Sequence, residues 1–130
     1  MQVIRDGHRL RLHDRQFLVH PITHGEIDLA LKDIGDLKAP GIDGYNAFFF
    51  KRAWNQIRND VYAAVGDFFE SATLYPALNC TLVTLIPKTP TATRVQEMRP
   101  IACCTTIYKI ISKILTNRLG KVINSIVDES

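Results

Sequence analysis

Apolar residues fall at helical spacing in several stretches of the chain and in a short unbroken run in one. Thr23-His24-Gly25-Glu26 has the form of a capping box, a polar cap with an acid three residues on. Ile27, Ala30, Leu31 and Ile34 follow on one helical face, and Gly35 is a plausible stop. Asn46 can cap a second helix reaching about Arg58, with Ala47, Phe50, Trp54 and Ile57 on its stripe. Asn59-Asp60 interrupts and can recap. A third helix then carries Val61, Ala64, Val65, Phe68 and Phe69 and ends near Ser71. The aromatic residues in these stripes are expected in the core.

The run Thr81 to Ile86 is rich in β-formers and stops at Pro87. Lys88 to Met98 is a polar connection, and Arg99 to Cys104 reads as a returning strand with proline near its start, where it is tolerated. Thr105 or Thr106 caps a long last helix whose stripe is Ile107, Ile110, Ile111, Ile114, Leu115, Leu119, Val122, Ile123 and Ile126. Residues 1–20 carry scattered charges without a clean period and read as a linker or as a segment whose partner lies elsewhere. The predicted class is α+β, predominantly helical, with no repeat and no low-complexity segment.

Charge sharpens this picture because it is uneven. Residues 1–70 hold nine Lys/Arg against ten Asp/Glu, whereas residues 71–127 hold seven Lys/Arg against Glu97 alone. A basic half suits a polyanionic partner, and equally a solvated helix face. The three cysteines, Cys80, Cys103 and Cys104, make a poor disulfide framework. They point to a reducing, intracellular setting, nucleus or cytoplasm, and Cys103-Cys104 reads as buried small hydrophobes. No apolar run approaches the length of a membrane span. His8, His13, His20 and His24 lack the convergent spacing and the cysteine or acidic company of a metal site.

Two features carry candidate chemistry. Lys38-Ala39-Pro40-Gly41-Ile42-Asp43-Gly44 cannot continue a helix and forms an ordered loop, but lacks the ending of a phosphate-binding P-loop. Lys88 and Arg99 flank one connection between two strand-like runs, so pairing of the strands brings them together. A point-charge lysine and a forked arginine suit a polyphosphate; ordinary loop charges are the alternative.

These segments fall in a telling order: the 38–44 loop followed by Phe49-Phe50-Lys51, then Thr84-Leu85-Ile86-Pro87-Lys88, then Met98-Arg99-Pro100-Ile101 running into Tyr108 to Leu119. Together they resemble the reverse transcriptase of LINE-type (non-LTR) retrotransposons, most like the plant elements, over roughly residues 21–130. The resemblance implies an RNA-directed DNA polymerase, with this chain as the N-terminal extension and fingers of a right-hand fold. It implies that Lys88 and Arg99 contact the triphosphate of the incoming deoxynucleotide. Lys38, Gly41, Asp43, Gly44, Lys109 and Lys113 become candidate template contacts, and the last helix would lie behind the fingers sheet. Ile42 stands where the family usually has proline, and Gly120 where a charge is commoner.

The family works with Mg²⁺ held by palm carboxylates, on RNA template, DNA primer and deoxynucleoside triphosphate. This chain has no Asp-Asp dipeptide, and between Glu70 and Asp128 its only acid is Glu97. The expectation is therefore a segment that stops before the catalytic palm, binds no metal or other cofactor itself, touches no membrane and is inactive alone. The last helix is expected to leave apolar surface waiting for the missing palm. A non-catalytic nucleic-acid-binding module and an inert, partner-dependent helical domain are the alternatives.

Overall fold

The computed structural model describes residues 10–123. In order these form α1 (Leu12–Val19), α2 (His24–Asp33), α3 (Ala47–Arg52), α4 (Trp54–Ser71), β1 (Thr81–Pro87), a 3₁₀ turn (Val95–Glu97), β2 (Met98–Cys104) and α5 (Thr106–Val122). The fold is α+β and mostly helical, as the periodicities indicate. His8 and Ile126 lie outside the described residues.

Helix α2 starts as its sequence dictates. The Thr23 hydroxyl accepts from Glu26 N–H, and the Glu26 carboxylate accepts from Thr23 N–H at 3.0 Å. Ile27, Ala30 and Leu31 are buried from that face. The helix's last carbonyls are met from a distance: Lys51 Nζ donates to Lys32 O at 3.1 Å and Ile34 O at 2.7 Å and pairs with Asp36 at 2.6 Å. Cations suit that end of a helix.

The helix boundary in the middle of the chain differs from the expected one. Asn46 does cap α3, accepting from Phe49 N–H at 3.0 Å. The break then falls at Ala53, and α4 runs through Asn59-Asp60 without interruption. Asn and Asp are only mild helix breakers. Their local preference gives way to one continuous stripe on which Val61 and Val65 are buried and Trp54, Ile57 and Phe68 pack partly buried against the core.

Within residues 1–20 lies helix α1, which buries no residue of its own. Long-range polar contacts hold it instead of an apolar stripe: Arg118 takes carbonyls at its end, and Lys121 Nζ lies 4.9 Å from the centre of the Phe17 ring.

The core lies among α2, α3, α4 and α5. Ile107, Ile110, Ile111 and Ile114 of α5 pack there with Ile27, Leu31, Phe50 and Val65. The stripe of α5 is thus covered largely by the chain's own helices. Only its flank of Leu115, Leu119 and Ile123 stays at least 41% exposed. By contrast, β1 and β2 form a two-stranded antiparallel hairpin with every residue of β1 exposed. At the foot of this ribbon, Thr105 caps α5 by accepting from Tyr108 N–H and donates its own hydroxyl to Leu78 O.

Candidate functional site

The hairpin register decides where the candidate cations point. Thr81 pairs with Cys104 and Ile86 with Arg99. Lys88 N–H donates to Glu97 O at 2.8 Å, extending the ladder one residue past β1. Side chains alternate along a strand and directly opposed residues share a face. Lys88, Ile86 and Arg99 therefore lie on one face, at the loop end of the ribbon. Lys88 and Arg99 are diagonal neighbours, a relation that typically separates positions by roughly 7–8 Å. Both are exposed.

The loop that joins them is tightly built. Lys88 Nζ donates to Gln96 O at 2.8 Å. The Glu97 carboxylate accepts from Thr93 N–H at 2.8 Å and Arg94 N–H at 3.1 Å, and these two amides hold its pKa below the ordinary value. The carboxylate nearest to Lys88 in the chain is thus already engaged by backbone.

The other candidates gather elsewhere. Lys38, Lys109 and Lys113 line an open groove of about 470 Å³ together with Ala102, Cys104 and Tyr108. Ala102 and Cys104 alternate with Arg99, Ile101 and Cys103 along β2, so this groove lies against the opposite face of the ribbon. The candidate cations thus fall into two groups on opposite faces of the ribbon, Lys88 and Arg99 at its loop end and Lys38, Lys109 and Lys113 toward its foot. Lys113 Nζ is 3.6 Å from the Asp33 carboxylate, and Lys109 Nζ donates to Ala39 O.

The 38–44 loop is itself seated on the start of α5. Gly44 N–H donates to Gly41 O at 3.1 Å to close a turn, and Gly44 takes φ +75°, which suits glycine. Asp43 accepts from Tyr45 N–H at 3.3 Å, an Asx-type turn contact. A Cβ on Gly41 would fall 2.5 Å from Thr105 N and 2.8 Å from Cys104 C. Thr106 Oγ1 donates to Tyr45 O at 2.9 Å. Gly41, Asp43 and Gly44 shape and dock the loop; Lys38 is the loop's contribution to the groove, and Lys109 of α5 faces it while holding the loop through Ala39 O.

Arg118 is one of the seven cations of the basic half, and the structure buries it. It is 6% exposed. Its Nε donates to Glu26 Oε1 at 2.8 Å and its Nη2 to Glu26 Oε2 at 3.0 Å, a forked pair. Nη1 donates to His20 O at 2.8 Å and Leu18 O at 3.2 Å. The guanidinium's hydrogen bonds to the carboxylate lower the Glu26 pKa from 4.5 to about 2; burial opposes them, and the Thr23 amide and hydroxyl each add a lesser lowering. Spacing could not reveal this pair, whose members are 92 residues apart.

His24, considered only as a metal ligand, stacks on Tyr62 at 3.9 Å between ring centres, and Tyr62 donates to Asp28 at 2.7 Å. Both residues line a cleft of about 660 Å³ beside Asp67 and Glu70. Among the described residues, no group of three or more His, Cys, Asp or Glu converges as a metal seat. No described helix is long and apolar enough to cross a membrane.

No family model matches the chain. Among curated proteins it is similar to the Transposon TX1 uncharacterized 149 kDa protein of Xenopus laevis, 27% identical over 113 residues. That alignment covers 87% of this chain and 9% of the relative, so the chain spans about a tenth of the protein it matches.

Proposed function

We propose that the chain derives from a non-LTR retrotransposon and is the fingers region of its reverse transcriptase, binding nucleotide and template without performing the chemistry. The observation that carries the reading is the ribbon register. It sets a lysine and an arginine on one face at one end of an exposed hairpin, where a triphosphate can meet both. The similarity to a transposon protein and the ordered motifs support it. On the opposite face, the Lys38, Lys109 and Lys113 groove offers charge for a nucleic-acid backbone.

The test is a graft of residues 81–104 into an intact reverse transcriptase of this class, followed by Arg99→Ala. Deoxynucleotide kcat/KM should fall about ten- to a hundredfold, the range expected for a lost charge-assisted phosphate contact. Arg99→Lys should restore only part, because the fork is gone. RNA affinity and its salt dependence should hardly move. Unchanged nucleotide kinetics, or a defect confined to template release, would remove Arg99 from the nucleotide site. The purified chain, given primer–template, Mg²⁺ and deoxynucleotides, should extend no primer. Heat-sensitive extension above a blank would contradict the non-catalytic assignment.

A further inference from the structure

The two outer edges of the hairpin are unlike. Lys88 N–H donates to Glu97 O, so its backbone turns toward β2, and this direction alternates along an antiparallel strand. The backbone groups of Leu82, Thr84 and Ile86 therefore turn toward β2, and those of Thr81, Val83 and Leu85 turn outward. On β2 the outward set includes Pro100, which pairs with Leu85 and has no N–H to offer. That edge is interrupted by Pro100 and flanked by the charge of Arg99. The edge of β1 has neither protection. Its sequence, Thr81-Leu82-Val83-Thr84-Leu85-Ile86-Pro87, contains no charge and no proline before its last residue, and Val83 is 63% and Leu85 51% exposed. Long, uncharged, open edges are those that take a further strand.

We infer that the outer edge of β1 pairs antiparallel with β1 of a second copy of this chain, joining two hairpins into one four-stranded sheet. The strand is complementary to itself in one register, centred on Thr84. There Val83 and Leu85 exchange backbone hydrogen bonds with Leu85 and Val83 of the second copy. Thr81 N–H reaches the second copy's Pro87 carbonyl, so the missing proline N–H falls at the margin. On the two faces, Leu82 meets Ile86, Val83 meets Leu85 and Thr84 meets Thr84. Each of these pairs is apolar or hydroxyl on hydroxyl, and none sets like charges opposite one another. A single added strand pair is at the low end of interface sizes, so association is weak, detectable at concentrations on the order of 100 µM. The inference is independent of the polymerase reading.

Sedimentation velocity of the full 130-residue chain across that range tests it. A reversible dimer is expected. Val83→Pro removes an outward N–H and leaves the ladder to β2 intact, as Pro100 does on its own strand. It should raise the dimer dissociation constant at least about tenfold with an unchanged circular dichroism spectrum. Leu85→Lys, which adds edge charge without touching the backbone, should act in the same direction. With Cys80→Ser, Cys103→Ala and Cys104→Ser in the background, Thr84→Cys should oxidise to a covalent dimer linked at that position. Opposed residues of a non-hydrogen-bonded pair lie about 4.5 Å apart, within disulfide reach. A chain that stays monomeric at these concentrations, or a dimer indifferent to both edge substitutions, overturns the inference and leaves the edge to a foreign strand.

Discussion

Replacing Arg118 with alanine is expected to cost the fold about 3 kcal/mol, the low end of the range for breaking a buried ion pair, because the Glu26 carboxylate left behind is partly exposed. That is a large fraction of the roughly 5–15 kcal/mol a domain has to lose. The guanidinium is 6% exposed, forks onto Glu26, and takes carbonyls of Leu18, His20 and Pro21. Its removal unties α1 from the body and leaves the Glu26 carboxylate without its cation. Arg118→Lys should recover only a minor part, because one ammonium cannot serve both carboxylate oxygens and the carbonyls together. Urea unfolding at neutral pH measures this; a loss below about 1 kcal/mol would mean that the pair contributes little beyond a solvent-exposed one.

The same pair gives the fold an acid limit. The Glu26 carboxyl titrates at about 2 in the folded chain against an ordinary 4.5. A folded value below the unfolded one stabilises the fold fully above about pH 5, and that contribution disappears as pH falls from 4.5 toward 2. The side chain of Glu26 is 31% exposed, and screening reduces the ideal linkage figure to about 2 kcal/mol. Glu26→Gln should flatten stability over this interval. An unchanged acid profile in that variant would assign the acid limit to other carboxylates.

Gly41→Ala should cost about 3 kcal/mol, at the upper end of overpacking penalties. The added carbon would meet Thr105 N at 2.5 Å, Thr105 Cα at 2.7 Å and Cys104 C at 2.8 Å, all backbone at the junction of β2 and α5. No side-chain rotation relieves such an overlap, so the loop must lift from α5. Lifting also strains the Thr106 hydroxyl contact to Tyr45 O. Gly120→Ala is the contrast, since nothing lies within 4 Å of a Cβ there. In the last turn of α5 it should raise stability by a part of the roughly 1 kcal/mol that the same change brings in a helix interior. Thermal melts of the two variants should move in opposite directions; equal shifts would show that the loop's seat on α5 is soft.

Much of the fold is legible in the sequence where the signal is local. The Thr23–Glu26 capping box, the Asn46 cap and the β-rich run ending at Pro87 are signals within a few residues, and each forms as its residues require. The break at Ala53 was not legible, since two weak local preferences at Asn59-Asp60 competed with burial of one long face. Helix α1 was hidden because its support comes from Arg118 and Lys121, about a hundred residues downstream. The candidate site was legible in part. Flanking one connection was enough to bring Lys88 and Arg99 to one face, but spacing could not say that Lys38, Lys109 and Lys113 occupy the other. Nor could it show that Lys51, read as a motif residue, closes the end of α2.

The long span between Glu26 and Arg118 has a consequence during synthesis. The partners are 92 residues apart, and at roughly 5–20 residues per second the ribosome needs several seconds to supply the second after the first. Through that interval α2 is already made, with Ile27, Ala30 and Leu31 facing no α5. Helices α3 and α4 arrive in time to cover part of that face, but the hairpin, which packs mainly on itself, adds little cover. The nascent chain therefore carries a half-open apolar surface until the last helix emerges, and that is when holding chaperones have most to bind.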